Sequence, residues 1–555
     1  MPACAASFCG DTLTIAPTYY HIDKAKSLIV VNKNVADMNV GRRSATSHLL
    51  LDEVYSFAQA QTQLQTTGSY QVSRAGATYS VYFTTLPVVH ISTKKQIVDT
   101  PSVYAQFSLS ETNGTYTESN IGVEIRGAYS QTYPKKSFEL SFWDDTTGAV
   151  SRDVSLLRMR TDNKWNLQAM YNEPLRLRSK VANEVWQDMH QVYYKTAEPE
   201  AKNGIAITYV ELFLNEEYRG VYALSERIDR KQLKLKKYSN GIKGELYKGS
   251  DWGGAVTFTS LPPFDNTSET WGGFEYKHPE EEINWTNLYN LVDFVKNSSD
   301  EIFYRDYRKW FELNNAVDYY IFLNLTRATD NTGKNIYIAK YKTGEPYYYV
   351  PWDLDGVFGT NWLGQTSNTT DDILSNGLYD RLLQDCSPTG FRATLRKRWA
   401  ELRAGTLTQE RIMGKFAANH AYLVANNVYE RESTTWPGFG FSSSDLVYTD
   451  GWLRNRLSYL DTVFSQPCSP LLAAAAAGPA RSLKLYPNPA HDKLTLENSG
   501  APAEVWIRDL QGRTVLQMRL PGGVNTLDVG HLAKGLYVAT ILSNQTLKTE
   551  KLLLN

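Results

Sequence analysis

Cysteine is scarce: four residues, Cys4, Cys9, Cys386 and Cys468, in a chain of 555. That is too few for a disulfide framework, and the spacing is not that of a zinc site. The pairings Cys4–Cys9 and Cys386–Cys468 are open, and both suit an oxidising compartment. Long apolar runs are also missing. The longest, 471–478, is mostly alanine and falls far short of the ~20 residues of a membrane helix, so no transmembrane segment is expected. Neither charge is in excess. With 58 basic and 59 acidic side chains there is no surplus with which the whole chain could hold nucleic acid. No basic stretch followed by an apolar one opens the sequence, so the expectation is that a signal peptide is absent from this chain, either removed or never needed. The eight histidines are scattered, with no His-Glu-x-x-His pair, and neither a Gly-x-x-x-x-Gly-Lys-Ser/Thr nor a Gly-x-Ser-x-Gly motif occurs. A calcium-loop reading of Asp353-Leu354-Asp355-Gly356 fails because the twelfth position is Gly364, not an acid.

What is there divides into segments. At ~150 residues per domain the length implies three or four domains. Residues 466–482 are small and proline-punctuated, the composition of a linker. Beyond it, 483–555 consists of short alternating runs separated by turn residues, which predicts a C-terminal β-sandwich. Residues 1–85 predict a small β-rich domain, with strands near 27–31, 70–72 and 79–84 and a short helix over 49–60. The span 86–465 carries the chemistry.

Within that span, 121–126 alternates as a strand and is broken at Gly127-Ala128-Tyr129-Ser130. Pro134-Lys135-Lys136 then leads into a second strand, 137–143. A hairpin of this kind can lay backbone N–H groups and two cations, Arg126 and Lys136, over phosphates. A helix is predicted to about Met189, capped by Asn172 or Glu173 with Pro174 in its first turn. Strands at 206–214 and 220–226 follow, then helices over 285–296 and 301–326. A polar turn holds Asp330 and Asn335, and strands at 336–340 and 347–351 run into Trp352-Asp353-Leu354-Asp355. Carboxylates at i and i+2 of an extended chain share a side, and a hard divalent cation is their natural partner.

Each residue has a plainer reading. Asp330 and Asn335 sit where turns favour Asp and Asn for backbone reasons. Lys136 alone reads as a solvated strand lysine, and Asp353 and Asp355 as loop acids. Their order is what matters: a strand-borne cation, then Asp-x4-Asn, then Asp-x-Asp, the layout of phosphoryl transfer. No glycine-rich nucleotide loop and no His-Arg-Asp run is present, which excludes an ordinary eukaryotic-type kinase.

Two resemblances follow from these residues. Ile125-Arg126-Gly127-Ala128-Tyr129-Ser130, Pro134-Lys135-Lys136-Ser137-Phe138, 220–226, Asp330 with Asn335, and 350–355 resemble the CotH family of atypical, secreted or spore-coat protein kinases. The resemblance implies an α+β, two-lobed, kinase-like domain over 86–465 that uses ATP with Mg2+ or Mn2+ and phosphorylates Ser or Thr of secreted or surface proteins. By position, Asp330 becomes the catalytic base and Asp353 a catalytic and metal-binding residue. Asn335 and Asp355 complete the metal shell. Arg126 and Lys136 hold phosphates, and Glu226 lies near the adenine. Ala128 or Tyr129 stands where many members have Ser, and Glu173 where Asp is more usual. Arg178 matches a basic position of the family, without an assigned role. Tyr486-Pro487-Asn488-Pro489-Ala490, 509–513, Gly535-Leu536-Tyr537-Val538 and the closing 551–554 resemble the type A C-terminal sorting domain of the type IX secretion system. That implies the secretion machinery as a partner and export to the surface of a Bacteroidota-type bacterium. A catalytically silent surface module that binds glycan or protein on the same scaffold is the competing expectation.

Overall fold

The computed structural model describes residues 6–9, 11–40, 44–468, 484–498, 502–509, 513–543 and 546–555. Helices and mostly antiparallel sheets are mixed, and the chain separates into two compact units, Met1–Pro467 and Cys468–Asn555.

The first unit opens on an eight-stranded sheet, from Ala6–Cys9 at one edge to Tyr20–Asp23 at the other. The expected helix over 49–60 is instead the end of strand Thr46–Leu50 and most of strand Val54–Gln61. Tyr55 and Phe57 alternate inward, and the period-2 burial of two aromatics outweighs local helix propensity.

Next comes a closed seven-stranded barrel, ordered Val103–Ser110, Tyr116–Arg126, Ser137–Trp143, Lys164–Gln168, Glu217–Ser225, Ile207–Leu214 and Val88–Ser92. The last strand closes it by pairing parallel to Ile207–Leu214 and antiparallel to Val103–Ser110. Phe138, Leu140 and Phe142 share the inner face with Val89, Ile91, Leu167 and Leu212. Closure removes sheet edges, so every barrel strand is paired on both sides.

A five-stranded sheet follows in the order Thr270–Trp271, Phe274–His278, Glu245–Gly249, Ile336–Lys340 and Tyr347–Pro351. Ile336, Ile338, Tyr347 and Tyr349 face a helical core, whereas Tyr337, Ala339, Tyr348 and Val350 face a second cluster. Burial on both faces explains why Tyr347–Pro351 reads as a continuous apolar run. The helical core is built by Arg178–Met189, Thr286–Asn297, Asp300–Trp310, Leu313–Thr326, Phe391–Arg403, Gln409–Ala425 and Ser444–Ser465. The helix expected from residue 174 starts only at Arg178, because Arg176 takes φ +60°. Its free N-terminus is satisfied by Glu173, whose carboxylate accepts from Arg178 N at 3.1 Å.

The second unit has a three-stranded sheet (Lys484–Tyr486, Lys493–Asn498, Gly523–Asp528) and a four-stranded one (Thr514–Leu520, Ala503–Arg508, Gly535–Ser543, Thr546–Leu554). Leu494, Leu496 and Leu527 of one meet Val505, Ile507 and Ile541 of the other in a common core. Cys386 and Cys468 are disulfide-bonded, while Cys4 lies outside the described residues. No helix of the described residues is long and apolar enough to cross a membrane.

Candidate functional site

The site begins at the end of helix Leu313–Thr326, which is buried from Asn315 onward. Arg327 stops it in the left-handed region and pairs with Asp372 at 2.8 Å. The chain then makes one 3-10 turn, Thr329–Thr332, carrying Asp330, and enters strand Ile336–Lys340 through Asn335. Asn331 is the staple. Its buried amide donates to Asn335 O at 2.6 Å and to Trp352 O at 2.8 Å. Trp352 N donates back to Asn335 O at 3.1 Å. The turn bearing Asp330 and the loop bearing Asp353 and Asp355 are therefore fastened to each other at the backbone.

Asp353 is exposed, and Asp355 is half-buried. Burial, and then the nearby charges of Asp353 and Asp330, push the Asp355 carboxyl well above the usual carboxylate range. The amide of Asn172 opposes this at 3.4 Å and is itself fixed on Trp362 O at 2.8 Å. Gly364 makes that approach possible, since a Cβ there would stand 1.7 Å from Asn172 O.

The barrel reaches this cluster through the hairpin after Arg126. The Arg126 guanidinium lies over the Trp352 ring, 5.7 Å from its centroid. Gly127 turns the chain at φ +106°, where a Cβ would collide with Ser130 Oγ. Tyr129 then meets Trp362 edge-on at 5.1 Å. Burial, with Tyr129, Asp355 and Tyr171 nearby, pushes the Tyr133 hydroxyl up to about 12. Lys248 joins from the five-stranded sheet. Burial lowers its ammonium, with the Glu275 charge opposing, then Lys277 lowering and Asp353 opposing, and lastly Arg126 lowering.

Two expected residues lie elsewhere. Lys136 donates to Gln131 O at 2.6 Å and lines a cavity of about 240 Å3 with Lys95, Arg219, Tyr222 and Trp436. None of the four acidic-site residues lines that cavity. Glu226 is fully buried, and its oxygens accept from Arg160 N, Ala206 N and Gln232 Nε2, each at 2.9 Å, and from Lys202. Burial works against its charge, but Lys202 and these amides outweigh burial and hold the carboxyl below its ordinary range. Asp353 and Asp330 thus lie within electrostatic reach of Asp355, Asn335 joins them through its backbone, and Lys136 and Glu226 are engaged with other partners.

The buried lysine is the neighbour, Lys135. It donates to Val221 O at 2.6 Å and to Glu432 Oε1 at 2.8 Å. Burial, opposed by Glu432 and reinforced by Arg176, lowers its ammonium to about 8. Arg176 shares Glu432 at 2.8 Å and donates to Tyr171 O at 3.0 Å and Glu173 O at 2.8 Å. An ion-pair chain from the barrel thereby braces the loop that presents Asn172 to Asp355. Asn172 was legible only as a cap, and Glu432, 297 residues from Lys135, carries no local signal. Arg178 pairs with Glu173 at 2.9 Å and donates to Thr449 Oγ1 at 2.9 Å, a packing role.

Comparison with known proteins agrees with the motif pattern. The family model described as CotH kinase protein matches residues 123–460, and that of the secretion system C-terminal sorting domain matches 484–555. Inner spore coat protein H of Bacillus subtilis (strain 168) is 22% identical over 248 residues, 44% of this chain. The match covers 61% of that protein, so the chain spans about three fifths of the length of the curated relative. Among solved structures, the twitchin kinase region from C. elegans aligns over 88% of this chain and 96% of that one, at 9% identity and a TM-score of 0.15, a likeness too low to carry argument.

Proposed function

This chain belongs to the CotH kinase protein family and carries a secretion sorting domain that marks it for export or the cell surface, and on that premise we propose that it is a secreted atypical protein kinase. The reaction moves the γ-phosphate of ATP to a Ser or Thr hydroxyl of an extracellular or surface protein. The sorting domain is taken to address the type IX machinery of a Bacteroidota-type bacterium. In this reading the barrel and the helical part act as two lobes, with the nucleotide between them.

The observation that carries the proposal is the Asn331 amide, which fastens the turn bearing Asp330 and Asn335 to the loop bearing Asp353 and Asp355. Asp330, Asp353 and Asp355 sit on two fastened loops within electrostatic reach of one another, beside Asn335, and their repulsion is what a divalent cation would relieve. When bound, Mg2+ or Mn2+ supplies charge neutralisation at the phosphates. Asp353, Asp355 and Asn335 would hold the cation. Asp330 orients the acceptor hydroxyl and takes its proton as the new O–P bond forms and the bridging bond to ADP breaks. Arg126 is placed to hold phosphate oxygens. Lys135, tied to Glu432, braces the barrel edge, and Lys136 faces a separate cavity.

Labelled ATP with Mn2+ or Mg2+, followed by mass spectrometry, tests this directly. Phosphate should appear on Ser or Thr in the wild type and vanish in Asp330→Ala and Asp353→Ala. No phosphoprotein and no metal-dependent ATP shift of the melting temperature would sink it. The competing reading, a silent scaffold binding glycan or protein, is favoured by the engagement of Lys136 with its own turn. It requires ligand binding that is indifferent to Asp353.

A further inference from the structure

The strand Tyr20–Asp23 of the N-terminal sheet lies against the outside of the barrel, where Leu28, Val30 and Tyr82 pack on Val88, Phe213 and Tyr218. At this seam stand three ligand-type side chains that are far apart in sequence. His21 comes from the sheet, His90 from the barrel strand Val88–Ser92, and Glu216 from the turn between Ile207–Leu214 and Glu217–Ser225. One ligand atom of each lies within 4.8 Å of the other two. From this convergence we infer that His21, His90 and Glu216 form a second metal site, taking a borderline divalent cation of the zinc class with two imidazole nitrogens, one carboxylate oxygen and a water.

The geometry is close to what such an ion needs. Donors at ~2.1 Å from a tetrahedral cation stand ~3.4 Å apart. His90 Nε2 and Glu216 Oε1 are already 3.4 Å apart. That His90 nitrogen is buried and accepts or donates no hydrogen bond, which is costly unless a partner fills the place. The two rings lie side by side with centroids 5.0 Å apart, and Phe213 stacks on His21 at 4.9 Å.

Glu216 is positioned deliberately. Asn215 and Glu216 form a tight turn with φ +49° and +64°, a geometry that glycine adopts most cheaply at the second place. The turn is tied to the barrel strand by Asn215 N donating to Ile91 O at 2.9 Å and by Thr93 N donating to Asn215 Oδ1 at 2.7 Å. His21 and His90 precede the span matched by the kinase family, whereas Glu216 lies within it. Its role is to tie the N-terminal sheet to the barrel.

The test uses the full chain, stripped with EDTA and titrated with Zn2+ or Co2+. One equivalent should bind, raise the melting temperature and give Co2+ the intense visible absorption of a tetrahedral N/O site. Glu216 is 68% exposed, so Glu216→Gln leaves the metal-free melting temperature unchanged and weakens binding at least ~10-fold. His90→Ala should abolish the Co2+ spectrum, whereas Asp353→Ala should keep it, which separates this site from the proposed nucleotide site. An unchanged affinity in Glu216→Gln, or no tetrahedral Co2+ signal in the wild type, overturns the inference.

Discussion

Asn335 and Asp353 share nearly the same positive φ, +56° and +57°, at the same end of two paired strands. Both lie in the left-handed region, where Asn and Asp are the tolerated non-glycine residues. Two exceptions side by side mark where the backbone is held for the sake of its side chains.

Asp353→Asn is therefore expected to keep the fold within ~0.5 kcal/mol, because Asn accepts the same φ. The metal-dependent ATP shift should disappear, and phosphate transfer should fall at least ~100-fold. Differential scanning fluorimetry with ATP and Mn2+, beside a transfer assay, measures both.

Lys135 and Lys136 should behave oppositely. Lys135→Met leaves part of the buried Glu432 charge uncompensated and should cost ~3 kcal/mol, at the low end for a broken buried pair because Arg176 remains. Lys136→Met removes one hydrogen bond to Gln131 O and should cost less than ~1 kcal/mol. Urea denaturation of the two variants decides it.

Lys135 also sets a pH dependence. Its folded pKa is about 8 against an ordinary 10.5. Between those values the unfolded chain binds more protons than the folded one, so stability rises with pH across that window and the penalty is fully present below pH 8. Wild type should gain on Lys135→Met by up to ~1.4 kcal/mol per pH unit from 8 towards 10. Flat parallel curves would exclude a perturbed lysine.

At Gly364, φ is +76° and an added Cβ would stand 1.7 Å from Asn172 O. Gly364→Ala should cost ~2 kcal/mol or more and displace Asn172 from Asp355. Thermal melts should fall, and metal affinity should fall further than stability alone explains.

The two compact units have separate cores. A chain ending at Cys468 should retain the melting temperature and nucleotide response of its part of the full chain. Calorimetry of the full chain should resolve two transitions.

Local signals were legible and distant ones were not. Strands Ser137–Trp143, Ile336–Lys340 and Tyr347–Pro351 follow the expected bounds, because apolar runs and flanking turns specify them. Asp330, Asn335, Asp353 and Asp355 were readable as a set because one helix end and one strand pair carry them all. The helix expected over 301–326 breaks at Phe311 and Glu312, where Glu312 caps the next helix by accepting from Asn314 N. Lys248, Glu432 and the pairing of Asn172 with Asp355 depend on contacts across hundreds of residues, which periodicity does not encode. The motif singled out Lys136 for phosphate; that its neighbour Lys135 is the buried one was not legible, since strand alternation starts only at Ser137.

One amide, that of Asn331, holds the carbonyls of both Asn335 and Trp352. The two acid-bearing segments are thus a single plate, set when the chain folds rather than when a ligand arrives. Their ordering entropy is spent in advance, so ligand association should be fast and accompanied by little change in heat capacity. In the proposed kinase reading the remaining contacts are those of the barrel hairpin, already held on the same plate by Arg126 over Trp352 and Tyr129 against Trp362.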